Sequence, residues 1–154
     1  MIQIVAVGRI KEKAMKSLID EYLKRISAYS KISVTEVDDE PNRANMDEAV
    51  KNTEGERILK QIKKDSYVIL LDLQGKMISS EKLAEKITEI NTYHSSDITF
   101  VIGGSLGVSP KVIERADFRL KISDMTFPHN LARLIILEQI YRSYKINSGE
   151  PYHK

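Results

Sequence analysis

The sequence predicts an α/β domain whose mainly parallel sheet carries helices on both faces. Strand-like and helix-like segments alternate along the whole chain, which is typical of parallel strands joined by helical crossovers. Two strand-like segments, "YVILLDL" and "DITFVIGG", are almost entirely apolar, as expected for strands covered on both faces. No linker, internal repeat or change of composition divides residues 1–154, so we expect a single domain.

The first part of the chain predicts two strands and two helices. The β-branched run "IQIVAVG" predicts a strand closed by a glycine. Apolar residues recur at helical spacing over residues 11–30, which predicts an amphipathic helix. "KISVTEV" alternates and predicts the second strand. After the polar loop "DDEPNRANM", a charged helix is predicted over residues 47–62, with its first residue as the cap.

The middle of the chain predicts a buried strand followed by a capped helix. The strand covers Tyr67–Leu73, and the "QGK" after it predicts a turn. Ser79 or Ser80 is expected to cap the helix "SEKLAEKITEINTY", whose apolar residues lie on one face.

The last third predicts two more strands and two more helices. After "DITFVIGG", a short helix is expected with Ser109 as its cap and Pro110 at its first position. "FRLKIS" predicts a short strand, and the longest helix is expected to begin at Pro128.

This last helix is apolar over more than half of its circumference. One apolar stripe is enough to cover a sheet, so the wider surface favours burial against a second copy of the chain. Burial inside one monomer is the alternative. The apolar positions are Leu131, Leu134, Ile135, Ile136, Leu137, Ile140, Tyr141 and Tyr144.

Composition excludes several classes of protein. The chain contains no Cys, which excludes a disulfide scaffold, a thiolate zinc site and Cys catalysis, and which fits a cytoplasmic protein. Neither a transmembrane run nor a signal peptide is predicted. The net charge of +2 gives little indication of the partner. We expect no metal site, because His94, His129 and His153 share no ligand spacing.

Three strand ends carry the groups from which a ligand site could be built. Ligands of open parallel sheets bind beyond the carboxyl ends of the strands. Here those ends are "QGK", "GGSLG" and "SDMTFPH". The glycine spacing of "GGSLG" matches neither a dinucleotide fingerprint nor a P-loop. It favours a flat ligand lying against bare backbone, with a plain strand-to-helix turn as the alternative.

The chain end "GEPYHK" combines a stiff backbone with reactive side chains. His153 can accept a proton near pH 7, and Tyr152 can stack on a base. Arg142 lies one turn after Glu138, which is also the spacing of an ordinary surface ion pair. Asp72 lies within an apolar strand, where a carboxylate is structural as easily as catalytic.

Taken together, "VIGGSLG", "SDMTFPHNLARLIILEQIYRSYKI" and the terminal "GEPYHK" resemble the SPOUT methyltransferases. The resemblance is greatest to the RlmH (YbeA-like) family, which methylates N3 of a pseudouridine in large-subunit ribosomal RNA. "IVAVGRIKEK" and "LLDLQGKMISSE" resemble the same family, so the match covers the whole chain.

The resemblance implies a trefoil knot in the C-terminal part, a homodimer, and S-adenosylmethionine as cofactor. It also implies action on ribosomal RNA in assembled ribosomes, in the cytoplasm. Arg142, Tyr152 and His153 are the implied catalytic residues. The implied cofactor contacts are Leu71, Gly103, Ile122, Ser123, Asp124, Met125, Thr126 and Phe127. Another SPOUT enzyme acting on transfer RNA or ribose, or a non-catalytic ribosome-binding protein, remains an alternative.

Overall fold

The computed structural model describes residues 1–42 and 44–154, which form five strands and five helices in strict alternation. In chain order these elements are β1 Ile2–Val7, α1 Lys13–Ser27, β2 Ile32–Val37, α2 Asp47–Gln61, β3 Tyr67–Lys76, α3 Ser80–Tyr93, β4 Ile98–Ile102, α4 Pro110–Arg115, β5 Phe118–Leu120 and α5 His129–Asn147. All strand pairs are parallel, and the order across the sheet is β2-β1-β4-β3-β5.

Each face of the sheet is covered by its own set of helices. In β1, Ile2 and Ile4 point to the face covered by α1, α3 and α5, whereas Val5 and Val7 point to the face covered by α2 and α4. Successive side chains of a strand alternate between faces, so apolar strands of this kind need cover on both sides. The predicted fold class is therefore confirmed. The trefoil knot is not shown by the strand order and stays a prediction.

Strand β3 is longer than predicted. "QGK" is not a turn, because Lys76 pairs with the same residue, Leu120, that Leu71 pairs with. The strand bulges between these two contacts. Gly75 fits here because a Cβ at this position would lie 2.5 Å from the carbonyl oxygen of Arg119. The glycine therefore marks a close approach of backbones, a role that sequence patterns do not separate from a turn.

Most other element ends shift by a few residues, as is usual for helix boundaries. Helix α1 is shorter than the predicted 11–30, and β5 covers only the first half of "FRLKIS". Met46, and not Asp47, is the N-cap of α2. Ser79 caps α3 as predicted, accepting a hydrogen bond from the Lys82 amide at 3.1 Å. The predicted loop before α2 includes Arg43, which lies outside the described residues.

Helix α5 packs between α1 and α3 within the chain. Ile136, Leu137 and Ile140 are buried there, while Leu131 and Leu134 near the start of the helix remain half-buried. Burial within one monomer therefore accounts for much of the apolar surface from which a dimer was predicted. Over residues 1–42 and 44–154, none of the helices combines the length and apolar character that crossing a bilayer requires.

Candidate active site

A cavity of ≈ 740 Å³ opens at the carboxyl edge of this sheet. Small-molecule ligands usually occupy cavities of about 300–1,000 Å³. The walls of this cavity come from the segments that follow β3, β4 and β5 and from the first turn of α5. The three strand ends predicted to hold a ligand therefore meet in one place. Seven of the eight predicted cofactor contacts line this cavity: Leu71, Gly103, Ile122, Ser123, Met125, Thr126 and Phe127.

Asp124 is the exception among the predicted contacts. Its side chain is exposed and forms an ion pair with Lys121 at 2.6 Å. The neighbouring Ser123 hydroxyl accepts a hydrogen bond from the Met125 amide at 3.0 Å, which turns the segment around the cavity wall. The prediction covered every residue of the loop from Ile122 to Phe127. Within that loop the Asp124 side chain faces water, while its neighbours line the cavity.

The glycines of "GGSLG" form a tight loop between β4 and α4. The Gly107 amide donates to the Gly104 carbonyl at 3.0 Å, and Gly107 has φ +90°, which favours glycine. A Cβ on Gly103 would lie 2.5 Å from Cγ1 of Val108. The cavity wall is therefore bare backbone here, and a side chain would displace the packing beside it.

Glu54 of α2 lies under this glycine loop and is only 5% exposed. It accepts a hydrogen bond from the Glu40 amide at 3.0 Å. A Cβ on Gly104 would lie 2.9 Å from its Oε1. Burial raises the pKa of Glu54, and the neighbouring Asp39 acts in the same direction. The carboxyl supports the loop from below.

Asp72 has a structural role in the cavity wall. Its Oδ2 accepts from Arg119 of β5 at 2.7 Å, and its Oδ1 accepts from the Gln74 amide at 2.9 Å. The carboxylate therefore joins β3 to β5 at the bulge. The sequence left open whether Asp72 is structural or catalytic, and these contacts favour the structural role.

Arg133 anchors the start of α5, and sequence reasoning missed it. It is 2% exposed; Nη1 contacts Glu36 Oε2 at 2.6 Å, and Nη2 donates to the Gly8 carbonyl at 3.1 Å. The same Glu36 oxygen accepts from the Ile10 amide at 3.0 Å. Because Ala132 beside it lines the cavity, this cluster fixes one cavity wall against β1 and β2. An arginine on a helix face that is otherwise apolar was the available signal.

The three predicted catalytic residues meet at the other end of α5. Arg142 donates to Glu138 through Nε at 3.0 Å and through Nη2 at 2.5 Å. The Tyr152 hydroxyl donates to the same carboxylate at 3.1 Å. The ring of Tyr152 packs edge-on against the ring of Tyr141, with the two ring centroids 4.9 Å apart. The chain end is thus bound to the helix.

His153 completes this group by linking two helices. Its Nδ1 lies 3.0 Å from Arg142 Nη1, and its Nε2 lies 2.6 Å from Glu81 Oε1 at the start of α3. Burial, with Tyr22 and the charge of Glu138 as further causes, raises the pKa of Tyr152 to about 12. The phenol is therefore protonated at neutral pH and acts as a donor. Glu81 was not among the predicted residues, because a chain end gives no sequence signal of where it docks.

The predicted catalytic group, which consists of Arg142, Tyr152 and His153, is separated from the cavity within one chain. His129 lines the cavity, and Arg142 lies thirteen residues further along the same helix. At 1.5 Å per residue, α5 places them roughly 20 Å apart. The structure therefore brings together each predicted set of residues but does not join the two sets in one chain.

Metal-ligating side chains do not gather in the part of the chain that the structure describes, where no group of three or more His, Asp or Glu is placed to hold an ion. His94 lies beside Tyr67, with ring centroids 5.6 Å apart, while His129 is the first residue of α5 and His153 lies in the chain end after that helix.

A parallel sheet with a glycine-walled cavity at its carboxyl edge defines an α/β protein with space for a small molecule beside the start of α5. The sequence profile described as "Predicted SPOUT methyltransferase" matches residues 1–153. The chain belongs to the SPOUT methyltransferase family.

Two relatives that align over nearly the full length of the chain carry the same name. The chain is 57% identical to the "Ribosomal RNA large subunit methyltransferase H" of Carboxydothermus hydrogenoformans and 54% identical to that of Alkaliphilus oremlandii, with 99% of each chain aligned. A solved structure, "The structure of a probable methylase family protein from Haemophilus influenzae Rd KW20", has a TM-score of 0.57 at 15% identity. That match covers 99% of this chain and 70% of the other, and it supports the fold alone.

Proposed function

We propose that this methyltransferase uses S-adenosylmethionine to methylate N3 of a pseudouridine in large-subunit ribosomal RNA, acting on assembled ribosomes in the cytoplasm. The observation that carries the proposal is the cavity, because seven of the residues implied by family resemblance converge on it. The full-length similarity to enzymes named for the large ribosomal subunit supports the substrate class.

The cavity fits the cofactor in size and in chemistry. Its volume of ≈ 740 Å³ lies within the range of about 300–1,000 Å³ for small-molecule sites. Leu71, Ile122 and Phe127 supply apolar walls for a flat base, and the loop from Gly103 supplies backbone that a ligand can approach closely. When bound, S-adenosylmethionine supplies a methyl group made electrophilic by its sulfonium.

The protein's own contribution to the reaction is positioning and charge stabilisation. N3 of pseudouridine carries an imide proton and becomes a good nucleophile only as that proton leaves. In the proposed site Arg142 stabilises the negative charge that develops or holds a phosphate, and Tyr152 packs on the nucleotide. His153 either accepts the proton or contributes a hydrogen bond.

The proposed enzyme is a homodimer in which one chain's end completes the other chain's cavity. This arrangement is supported by the distance of roughly 20 Å along α5 between the cavity and Arg142 in one chain. The half-buried Leu131 and Leu134, on the cavity half of α5, are available for contact with a second copy.

The methylated atom is tested on ribosomes from a strain that lacks this protein. Purified protein and labelled S-adenosylmethionine are added, and the label is mapped by mass spectrometry. We expect one methyl group, on a pseudouridine of the large subunit. Label on ribose or on transfer RNA would support another SPOUT activity. Ribosome binding without label, and without heat on cofactor titration, would support a non-catalytic protein.

The shared site is tested by subunit complementation. Gly103→Val disables the cavity, and truncation after Gly149 removes the chain end, so each variant alone should be inactive. In a mixed dimer, the truncated chain keeps its cavity and the Gly103→Val chain keeps its chain end. These two parts form a complete site only if a chain end serves the cavity of its partner. We expect activity to return on mixing. Failure to recover activity, with mixed dimers demonstrated by differential tagging, would refute completion by the partner.

A further inference from the structure

Both ring nitrogens of His153 are engaged in the docked chain end. Nδ1 lies 3.0 Å from Nη1 of Arg142, and Nε2 lies 2.6 Å from Oε1 of Glu81. A guanidinium has donors only and remains protonated in proteins. Nδ1 must therefore be the acceptor in the first contact, and it carries no proton.

The second contact fixes the position of the remaining proton. A neutral imidazole with an unprotonated Nδ1 carries its hydrogen on Nε2, and that hydrogen points at a carboxylate oxygen. The hydrogen bond from His153 lowers the pKa of Glu81, so the acceptor remains ionised. A doubly protonated ring would direct an N–H at the N–H of Arg142, which is repulsive.

This arrangement leaves His153 without a free lone pair. A general base must reach the proton that it removes with an unoccupied lone pair. The charged and titratable groups around the ring are Glu81 from α3, Arg142 and Glu138 from α5, and Tyr152 from the chain end. Nδ1, the only basic nitrogen of the ring, is occupied by the hydrogen bond from Arg142.

We infer that His153 is a positioning residue and not the base: it is a neutral bridge that ties Arg142 on α5 to Glu81 on α3. The inference rests on the proposed function for the reaction that the chain end serves.

The bridge fixes the Arg142 guanidinium, because His153 and Glu138 hold it from two sides. Glu138 binds Nε and Nη2 of the guanidinium, and His153 binds Nη1. The Tyr152 ring lies against the same group, with its centroid 4.8 Å from Cζ. A cation whose plane is fixed in advance needs no reorganisation when negative charge develops next to it. Glu81 is thereby a second positioning residue.

The decisive variant is His153→Gln, compared with His153→Ala. The Gln amide offers an oxygen to Arg142 and an N–H to Glu81, but it does not titrate. We expect His153→Gln to retain turnover well within the roughly 100-fold loss that marks removal of a general base, with an unchanged pH–rate profile. His153→Ala and Glu81→Ala should each reduce turnover, and the double variant should be no worse than either. A loss of about 100-fold or more in His153→Gln, together with loss of the acidic limb of the profile, would identify His153 as the base.

A second measurement does not depend on activity. Hydrogen exchange of the amides in residues 147–154 reports whether the chain end is docked. We expect protection in His153→Gln to equal that of the unchanged protein and to fall in His153→Ala and Glu81→Ala. Equal loss of protection in all three variants would overturn the bridge, even if the unchanged protein were found not to methylate ribosomes. Inactivity of the unchanged protein on ribosomes would instead refute the proposed function.

Discussion

Replacing the buried Arg133 should destabilise the protein far more than replacing an exposed arginine. Arg133→Met keeps most of the buried apolar stem and removes the guanidinium. The change removes the Arg133 donor from the Gly8 carbonyl, and among the described residues it leaves the Glu36 carboxylate with the Ile10 amide as its hydrogen-bond donor. Breaking a buried ion pair by removing one partner costs about 3–5 kcal/mol.

The lower end of that range is expected here. The side chain of Glu36 is 29% exposed, so water recovers part of the solvation of the orphaned carboxylate. A loss of about 3 kcal/mol lowers Tm by roughly 6–12 °C in a chain of this size. Because the cluster holds the cavity wall at Ala132, cofactor affinity should fall as well.

Urea unfolding followed by circular dichroism measures this loss. The matched control is Arg9→Gln, which breaks the Arg9–Asp38 pair, whose side chains are 63% and 68% exposed. Exposed pairs contribute less than about 1 kcal/mol. The double variant Arg133→Met with Glu36→Gln should recover part of the loss, because no unpaired charge remains. Similar small losses for Arg133→Met and Arg9→Gln would refute the reasoning.

Three further predictions address the cavity, the chain end and acid stability. Gly103→Val should weaken S-adenosylmethionine binding in calorimetry while the fold persists, since the added carbons collide with Val108; unchanged affinity would place the cofactor elsewhere. Truncation after Gly149 should abolish turnover but preserve cofactor affinity, because the chain end does not line the cavity of its own chain and is proposed to contact the nucleotide; survival of turnover would remove Tyr152 from the mechanism. For Glu36, burial raises the pKa, but hydrogen bonds from Arg133 and the Ile10 amide outweigh it and lower the pKa. Its stabilisation is therefore complete above an unfolded pKa of about 4.3 and is lost as pH falls through the folded value. In urea unfolding at decreasing pH, the free energy of unfolding should thus fall less for Glu36→Gln than for the unchanged protein. An equal fall for both proteins would contradict this prediction.

The fold class could be predicted because the pattern of apolar residues in each strand and helix indicates which of its faces are buried. "YVILLDL" and "DITFVIGG" are apolar at consecutive positions, and only strands covered on both faces need that pattern. The site could be located because the carboxyl ends of parallel strands share one edge. What each local segment showed about itself was therefore sufficient to place the cavity.

Features that depend on contacts distant in sequence could not be predicted in this way. The role of Gly75 depends on the backbone of Arg119, and the role of Arg133 depends on Glu36, nearly one hundred residues earlier. Similarly, Glu81 became relevant only when the chain end was seen to dock on α3. Sequence periodicity reports which face of an element is buried, but it does not report which distant group the face meets.

In the proposed enzyme, the stiffness of helix α5 explains why the cavity and the predicted catalytic residues of one chain would be completed by a second copy of that chain. A helix is stiff over its 19 residues, and here Arg133 fixes one end to the sheet while Glu138 and Arg142 hold the chain end near the other. The separation between the two regions cannot close without breaking that helix. In the proposed homodimer, a two-fold axis across the middle of an antiparallel pair of α5 helices would place each chain end beside the start of the partner's α5, and so beside the partner's cavity. The half-buried Leu131 and Leu134 lie on the half of α5 that would then face the partner's chain end.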